Sequence, residues 1–158
     1  MLTRLKRYLI MMTIFFRGGG YSRADYLRKR KFFKYIGDHV YLQPWNFGTE
    51  PHLISFGDNV HVASGVTFVN HDITCMMFNY FDKENHYKLR QGEIKIGNNV
   101  FIGTNCTILY DVQIGNNVII GAGSLVNRDI PDGVVAAGVP CKVIGSFENY
   151  RNKILKGK

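Results

Sequence analysis

Residues 96–126 read IGNNVFIGTNCTILYDVQIGNNVIIGAGSLV. Ile96, Ile102, Ile108, Ile114, Ile120 and Val126 fall at every sixth position. Ile, Leu and Val make up about a quarter of the chain, so six successive aliphatic hits arise by chance at about two starting points in ten thousand. A second column, Val100, Cys106, Val112, Val118, Ser124 and Ile130, runs in phase four residues later, and Gly97, Gly103, Gly115 and Gly121 follow the first column by one. This period matches neither the turn of an amphipathic helix nor the alternation of a half-buried strand. It fits a chain that turns a corner every six residues and stacks coil on coil, with the aliphatic column inside and a glycine permitting each corner.

The register extends upstream. Phe56-Gly57, Val62-Ala63 and Phe68-Val69 repeat the first columns, Val60 and Val66 the later one, and Ile36-Gly37 with Val40 is an earlier copy. From Ile36 to Phe56 is 20 residues, two more than three sixes, which predicts a bulge near Pro44 or Pro51. Between Phe68 and Ile96 the gap is 28 residues where six would do, so about 22 leave the stack. The resulting loop, at about 73–93, carries Phe78, Tyr80, Phe81 and Tyr87, an aromatic content that argues against plain disorder.

Ahead of the repeat, Leu2, Leu5, Leu9, Met12 and Phe16 recur at helical spacing up to Gly18-Gly19-Gly20. A second helix is expected over 22–35, with Ser22 as N-cap and Arg28, Lys29, Arg30, Lys31 and Lys34 as a solvated face. The reading is an all-β chain: a short helical N-terminal segment (1–35), a parallel β-helix (36–131) with the extended loop, and a closing segment (132–158).

The 158 residues suffice for one core. A net charge of +8 favours an anionic partner, with nucleic acid, a membrane surface and a phosphorylated cofactor all compatible. No basic run interleaved with aromatics at a recognition-motif spacing is present, so nucleic acid is not expected. Three cysteines without a CxxC disfavour a disulfide framework or zinc ribbon and suit a reducing, cytoplasmic compartment. The apolar run Tyr8 to Phe16, flanked by Arg7 and Arg17, is too short to span a bilayer. It reads as a signal-peptide core, as a helix packed on the body, or as a basic apolar segment in peripheral membrane contact.

Three segments carry a resemblance to the hexapeptide-repeat acyltransferases: Asn70-His71-Asp72, Ile96-Gly97-Asn98-Asn99-Val100, and Gly121-Ala122-Gly123-Ser124 continuing to Ala136-Ala137-Gly138-Val139-Pro140-Cys141-Lys142. The look is that of galactoside, maltose and xenobiotic acetyltransferases and of bacterial surface-polysaccharide O-acetyltransferases. The resemblance implies a left-handed prism of three faces, a homotrimer, and acetyl-CoA as donor in the cleft between neighbouring prisms. The implied acceptor is a sugar hydroxyl of a cell-surface polysaccharide or its precursor. Serine or amino-sugar acetylation on the same fold, and a non-catalytic assembly protein, are the alternatives.

Acetyl transfer from a thioester to a hydroxyl needs a base for the hydroxyl proton, donors for the oxyanion, and two substrates held in contact. By resemblance His71 is the general base, in direct transfer without an acyl-enzyme. Thr104 matches the hydroxyl beside the thioester, or is a plain corner residue. Ala122 matches the place where backbone meets the pantetheine arm, and Asn127, Arg128 and Lys142 match positions near the far end of coenzyme A. Gly145 stands where relatives often carry another cation. Asn70 and Asp72 are candidate acceptor contacts, and the partner that orients His71 stays open between Asp72 and a backbone carbonyl. Cys75 lies near His71, but the family uses no thiol nucleophile. His39, His52, His61 and His86 lack the spacing of a three-histidine metal site, so no metal is expected.

Overall fold

A computed structural model describes residues 4–157. Most of its short strands fall into three parallel stacks, and Lys142–Ser146 adds to the second of them antiparallel. Face one holds Tyr35–Ile36, Ile54–Phe56, Ile94–Ile96 and Val112–Ile114. Face two holds Tyr41–Leu42, Val60–Val62, Val100–Ile102, Val118–Ile120 and Val134–Ala137. Face three holds Thr67–Val69, Thr107–Leu109 and Leu125–Val126. Successive strands visit the faces in rotation, so the chain winds a three-sided β-helix. Ile96 pairs with Ile114, Ile102 with Ile120 and Ile108 with Val126, each 18 residues apart, which is one coil of three hexapeptides. One coil earlier the same columns pair Phe56 with Ile96, Val62 with Ile102 and Phe68 with Ile108, 40 residues apart, so 22 leave the stack between them.

Both hexapeptide columns point inward, and none of their twelve members is more than 4% exposed. Ser124 sits among them because its hydroxyl donates to the Gly121 carbonyl at 2.6 Å and accepts from the Gly138 amide at 3.1 Å. The wider first coil is filled by phenylalanines, with Phe33 5.0 Å from both Phe47 and Phe56, ring centre to ring centre. Ile108 is fully buried in the middle coil, with strands stacked on both sides. Ile108→Ala leaves a cavity that neighbouring coils cannot fill, and a loss of about 2–5 kcal/mol is expected in urea unfolding.

The corners differ from the expectation that glycine makes the turn. The left-handed backbone at most of these corners belongs to Asn59, Asn99, Asn105, Asp111 and Asn117, with φ between 54° and 59°, and at others to Gly65, Gly123 and Gly133, which lie outside that glycine column. Asn59, Asn99 and Asn117 stack as a ladder of side-chain amides at 2.9 Å. The glycine column serves coil-to-coil approach instead. A Cβ on Gly97 would meet the Gly115 carbonyl oxygen at 2.7 Å, and one on Gly103 the Ala122 nitrogen at 2.6 Å.

Among the described residues four helices surround the coils: α1 (Arg4–Phe15), α2 (Gly20–Lys29), α3 (Thr74–Phe81) and α4 (Phe147–Leu155). They hold nearly as many residues as the strands, so the all-β label is too narrow. Leu2 lies outside the described residues. In α1 the buried positions are Ile10 and Ile14, while the column chosen by periodicity, Leu5, Leu9, Met12 and Phe16, faces outward. Ser22 is not an N-cap. Gly19, at φ 76°, caps α2 three residues earlier. The helix also ends well before residue 35. Lys31 turns left-handed at φ 49° and the Phe32 amide donates back to the Leu27 carbonyl at 3.1 Å, which swings Phe32 and Phe33 into the core. Arg28 leaves the solvated basic face to bind Asp38 at 2.8 Å and the Gly37 carbonyl, tying α2 to the first coil.

The surplus of the first coil lies where expected. Residues 44–53 carry no strand and end in a 3-10 turn at Pro51–Leu53. The excursion is more ordered than a loop. It leaves face three after Val69, forms α3, and returns by a two-residue antiparallel ladder that pairs His71 with Gln91 and Asp72 with Arg90.

Candidate active site

His71 stands at the mouth of this excursion, where the stack releases the chain. The ladder to Gln91 and the bond from the Gly92 amide to the Asn70 carbonyl, at 3.0 Å, hold its backbone. Alternation does the rest. Asn70 points into the body and is 1% exposed, while the His71 side chain is 29% exposed.

The imidazole is oriented by Glu50, a residue that sequence reasoning missed. His71 Nδ1 lies 2.8 Å from Glu50 Oε2 and 3.2 Å from Thr49 Oγ1, and the Thr49 hydroxyl donates to the same carboxylate oxygen at 2.6 Å. With the threonine proton spent on Glu50, the carboxylate takes its second bond from Nδ1–H. The neutral ring then carries its lone pair on Nε2. Burial pushes the Glu50 carboxyl up. Hydrogen bonds from Thr49 and His71, with the electrostatic attraction of the His71 ring and of Arg7, outweigh it and hold the carboxyl below its ordinary value. Both Thr49 and Glu50 come from the irregular stretch of the first coil, 22 and 21 residues before His71.

Asp72 does not orient the imidazole. Its carboxylate accepts from the Thr74 amide at 2.8 Å at the start of α3, and this bond leads the interactions that lower its pKa. Asn70 finds no partner for Nδ2 or Oδ1 among the described residues. Leaving such groups unmade costs about 1–3 kcal/mol each, so an enclosed water is the partner that this buried amide calls for. A cavity of about 350 Å³ adjoins the pair, lined by Arg7, Tyr8, Met11, Trp45, Asn46 and Thr49 among others.

The remaining candidates divide between two corners. Thr104 and Ala122 are exposed on successive turns between faces two and three, joined by the Gly123 amide donating to the Thr104 carbonyl at 2.8 Å. Lys142 is close to them through its pairing with Ala137, which lies against Gly121. Asn127 and Arg128 follow Val126 at the opposite edge of face three, the edge that also carries His71. The Thr104 corner and the His71 corner are therefore one full face apart, about 15–20 Å at ~3.3 Å per extended residue. Cys75, Cys106 and Cys141 are buried and free, and burial raises the Cys106 and Cys141 thiols. Among the described residues no three His, Cys, Asp or Glu side chains converge as a metal site.

A hexapeptide coil with an imidazole–carboxylate pair at the mouth of its one long excursion has the build of a transferase. Residues 93–128 match the bacterial transferase hexapeptide (six repeats) family. The protein CapG of Staphylococcus aureus is 48% identical over 112 residues, 70% of this chain and 62% of CapG. Galactoside O-acetyltransferase of Escherichia coli (strain K12) is 35% identical over 152 residues, 78% of this chain and 68% of that enzyme. The structure of a galactoside acetyltransferase in complex with coenzyme A matches with a TM-score of 0.65 and 25% identity, covering 94% of this chain and 82% of that one. The chain belongs to the hexapeptide-repeat acetyltransferases. It spans less than two thirds of the length of CapG.

Proposed function

We propose that this protein moves an acetyl group from acetyl-CoA to a saccharide hydroxyl, with His71 as general base. One observation carries the reading: the bond from His71 Nδ1 to Glu50 leaves Nε2 as the free acceptor of a partly exposed ring. Nε2 takes the proton of the sugar hydroxyl as its oxygen attacks the thioester carbonyl carbon. The Thr104 hydroxyl and a backbone amide hold the oxyanion. Collapse breaks the carbon–sulfur bond, and the leaving thiolate takes the proton back from the imidazolium. The small, exposed corner at Ala122 suits close approach of the pantetheine arm, and Asn127, Arg128 and Lys142 supply polar and cationic groups for the far end of coenzyme A.

The separation of the two corners supports a shared site. His71 of one copy faces the Thr104 corner of the next, in a homotrimer of left-handed prisms. Trp45, Arg7 and Asn46 around the adjoining cavity suit a sugar ring with hydroxyl or acidic substituents, such as a unit of a cytoplasmic polysaccharide precursor. Thiol release from acetyl-CoA against a panel of sugars and nucleotide sugars tests the function. Saccharide-dependent release is expected, and acetyl-CoA turnover indifferent to every saccharide would remove it.

Glu50→Gln keeps the shape but loses a charge-assisted hydrogen bond worth about 1.5–3 kcal/mol, so kcat falls by about 10–150-fold. KM for acetyl-CoA and the melting temperature should hold. An unchanged kcat would show that Glu50 does not position the ring.

A further inference from the structure

The outward side of α1 is apolar. Leu5, Leu9 and Met12 follow one another at helical spacing on this side, Phe16 continues them in the turn that follows, and their exposures run from 55% to 84%. Ile10 and Ile14, on the opposite side, are buried against the body. The helix thus presents apolar residues on two sides, where a water-facing surface helix keeps one. Its sequence, RLKRYLIMMTIF, contains no acid. Along one edge Lys6, Arg17 and Arg30 line a groove of about 510 Å³, with Arg17 and Arg30 set 4.2 Å and 4.9 Å from the Tyr26 ring.

We propose that α1 lies in the interface of an anionic lipid bilayer, with its outward side in the acyl boundary and Lys6, Arg17 and Arg30 among headgroup phosphates. No helix of the described residues is long and apolar enough to cross a membrane, so the contact is peripheral. Charge selects lipid over a second copy as the occupant. Two copies meeting on this face would bring Lys6, Arg17 and Arg30 against one another, whereas anionic headgroups complement them. The same helix lines the cavity beside Thr49 through Arg7, Tyr8 and Met11. Docking therefore brings that cavity to the bilayer surface, within reach of an acceptor carried on a lipid. The lipid contact itself does not depend on the acetyl-transfer reading.

Cosedimentation of the full chain with vesicles of phosphatidylcholine plus phosphatidylglycerol, against phosphatidylcholine alone, tests this. Binding to the anionic vesicles, weakened by salt, is expected. The double substitution Leu9→Ser, Phe16→Ser should cut it by about tenfold or more, and Arg17→Glu with Arg30→Glu should abolish the preference for anionic lipid. Light scattering should give the same oligomer for all three proteins. Failure of the unmodified chain to sediment, or equal sedimentation of the Leu9/Phe16 variant, overturns the proposal. So does a smaller oligomer in that variant with lipid binding retained, since a second copy would then own the face.

Discussion

His71→Ala lowers the rate of acetyl transfer by about 10²–10⁴-fold, the range that a positioned general base supplies. The loss falls on kcat. Acetyl-CoA still binds, because the residues assigned to it lie on other coils. The fold also survives, since the imidazole is partly exposed and its removal opens no core cavity. Steady-state thiol release and calorimetric titration with acetyl-CoA separate the two effects. Turnover within a few-fold of the unmodified protein would mean that the hydroxyl proton leaves by another route. The partner left behind, Glu50, keeps its bond from Thr49, so the change is confined to the base.

The second large effect is a restoration. Ala122→Trp fills the corner assigned to the pantetheine arm and should silence the protein on its own, as His71→Ala does. The two silent chains, unfolded together in equal amounts and refolded, should recover about a quarter of the unmodified rate. In random assembly a site needs His71 from one type of chain and an intact corner from the other, which occurs at about one interface in four. A site contained within one chain cannot be restored in this way, so a mixture as inactive as its components would end the shared-site reading. The prediction follows from the width of face three, which holds Thr104 and His71 too far apart for one thioester to meet both.

Much of this was legible without coordinates, and for an identifiable reason. Burial in a coil is a repeated local condition. Ile96, Ile102, Ile108, Ile114, Ile120 and Val126 each report it separately, and all six are buried. The 22-residue excursion was countable because it interrupts a regular register. The packed face of α1 was not legible because that helix is apolar on two sides, and periodicity marks a stripe without saying which way it points. The helix α4 left a readable signal in Ser146, whose hydroxyl accepts from the Asn149 amide at 3.2 Å.

By itself the sequence determined the coil, its inward columns, the point at which the chain leaves the stack, and the histidine at that point. Only the tertiary structure decided what holds the histidine and where the other candidates lie. Glu50 and Thr49 belong to the one stretch of the first coil with no period, so nothing local marks them. They meet His71 because two surplus residues bulge that stretch outward and the next coil stacks directly upon it. Likewise Thr104 and His71 share a face but occupy its opposite edges. That separation is set by the shape of a closed prism, which no single residue reports.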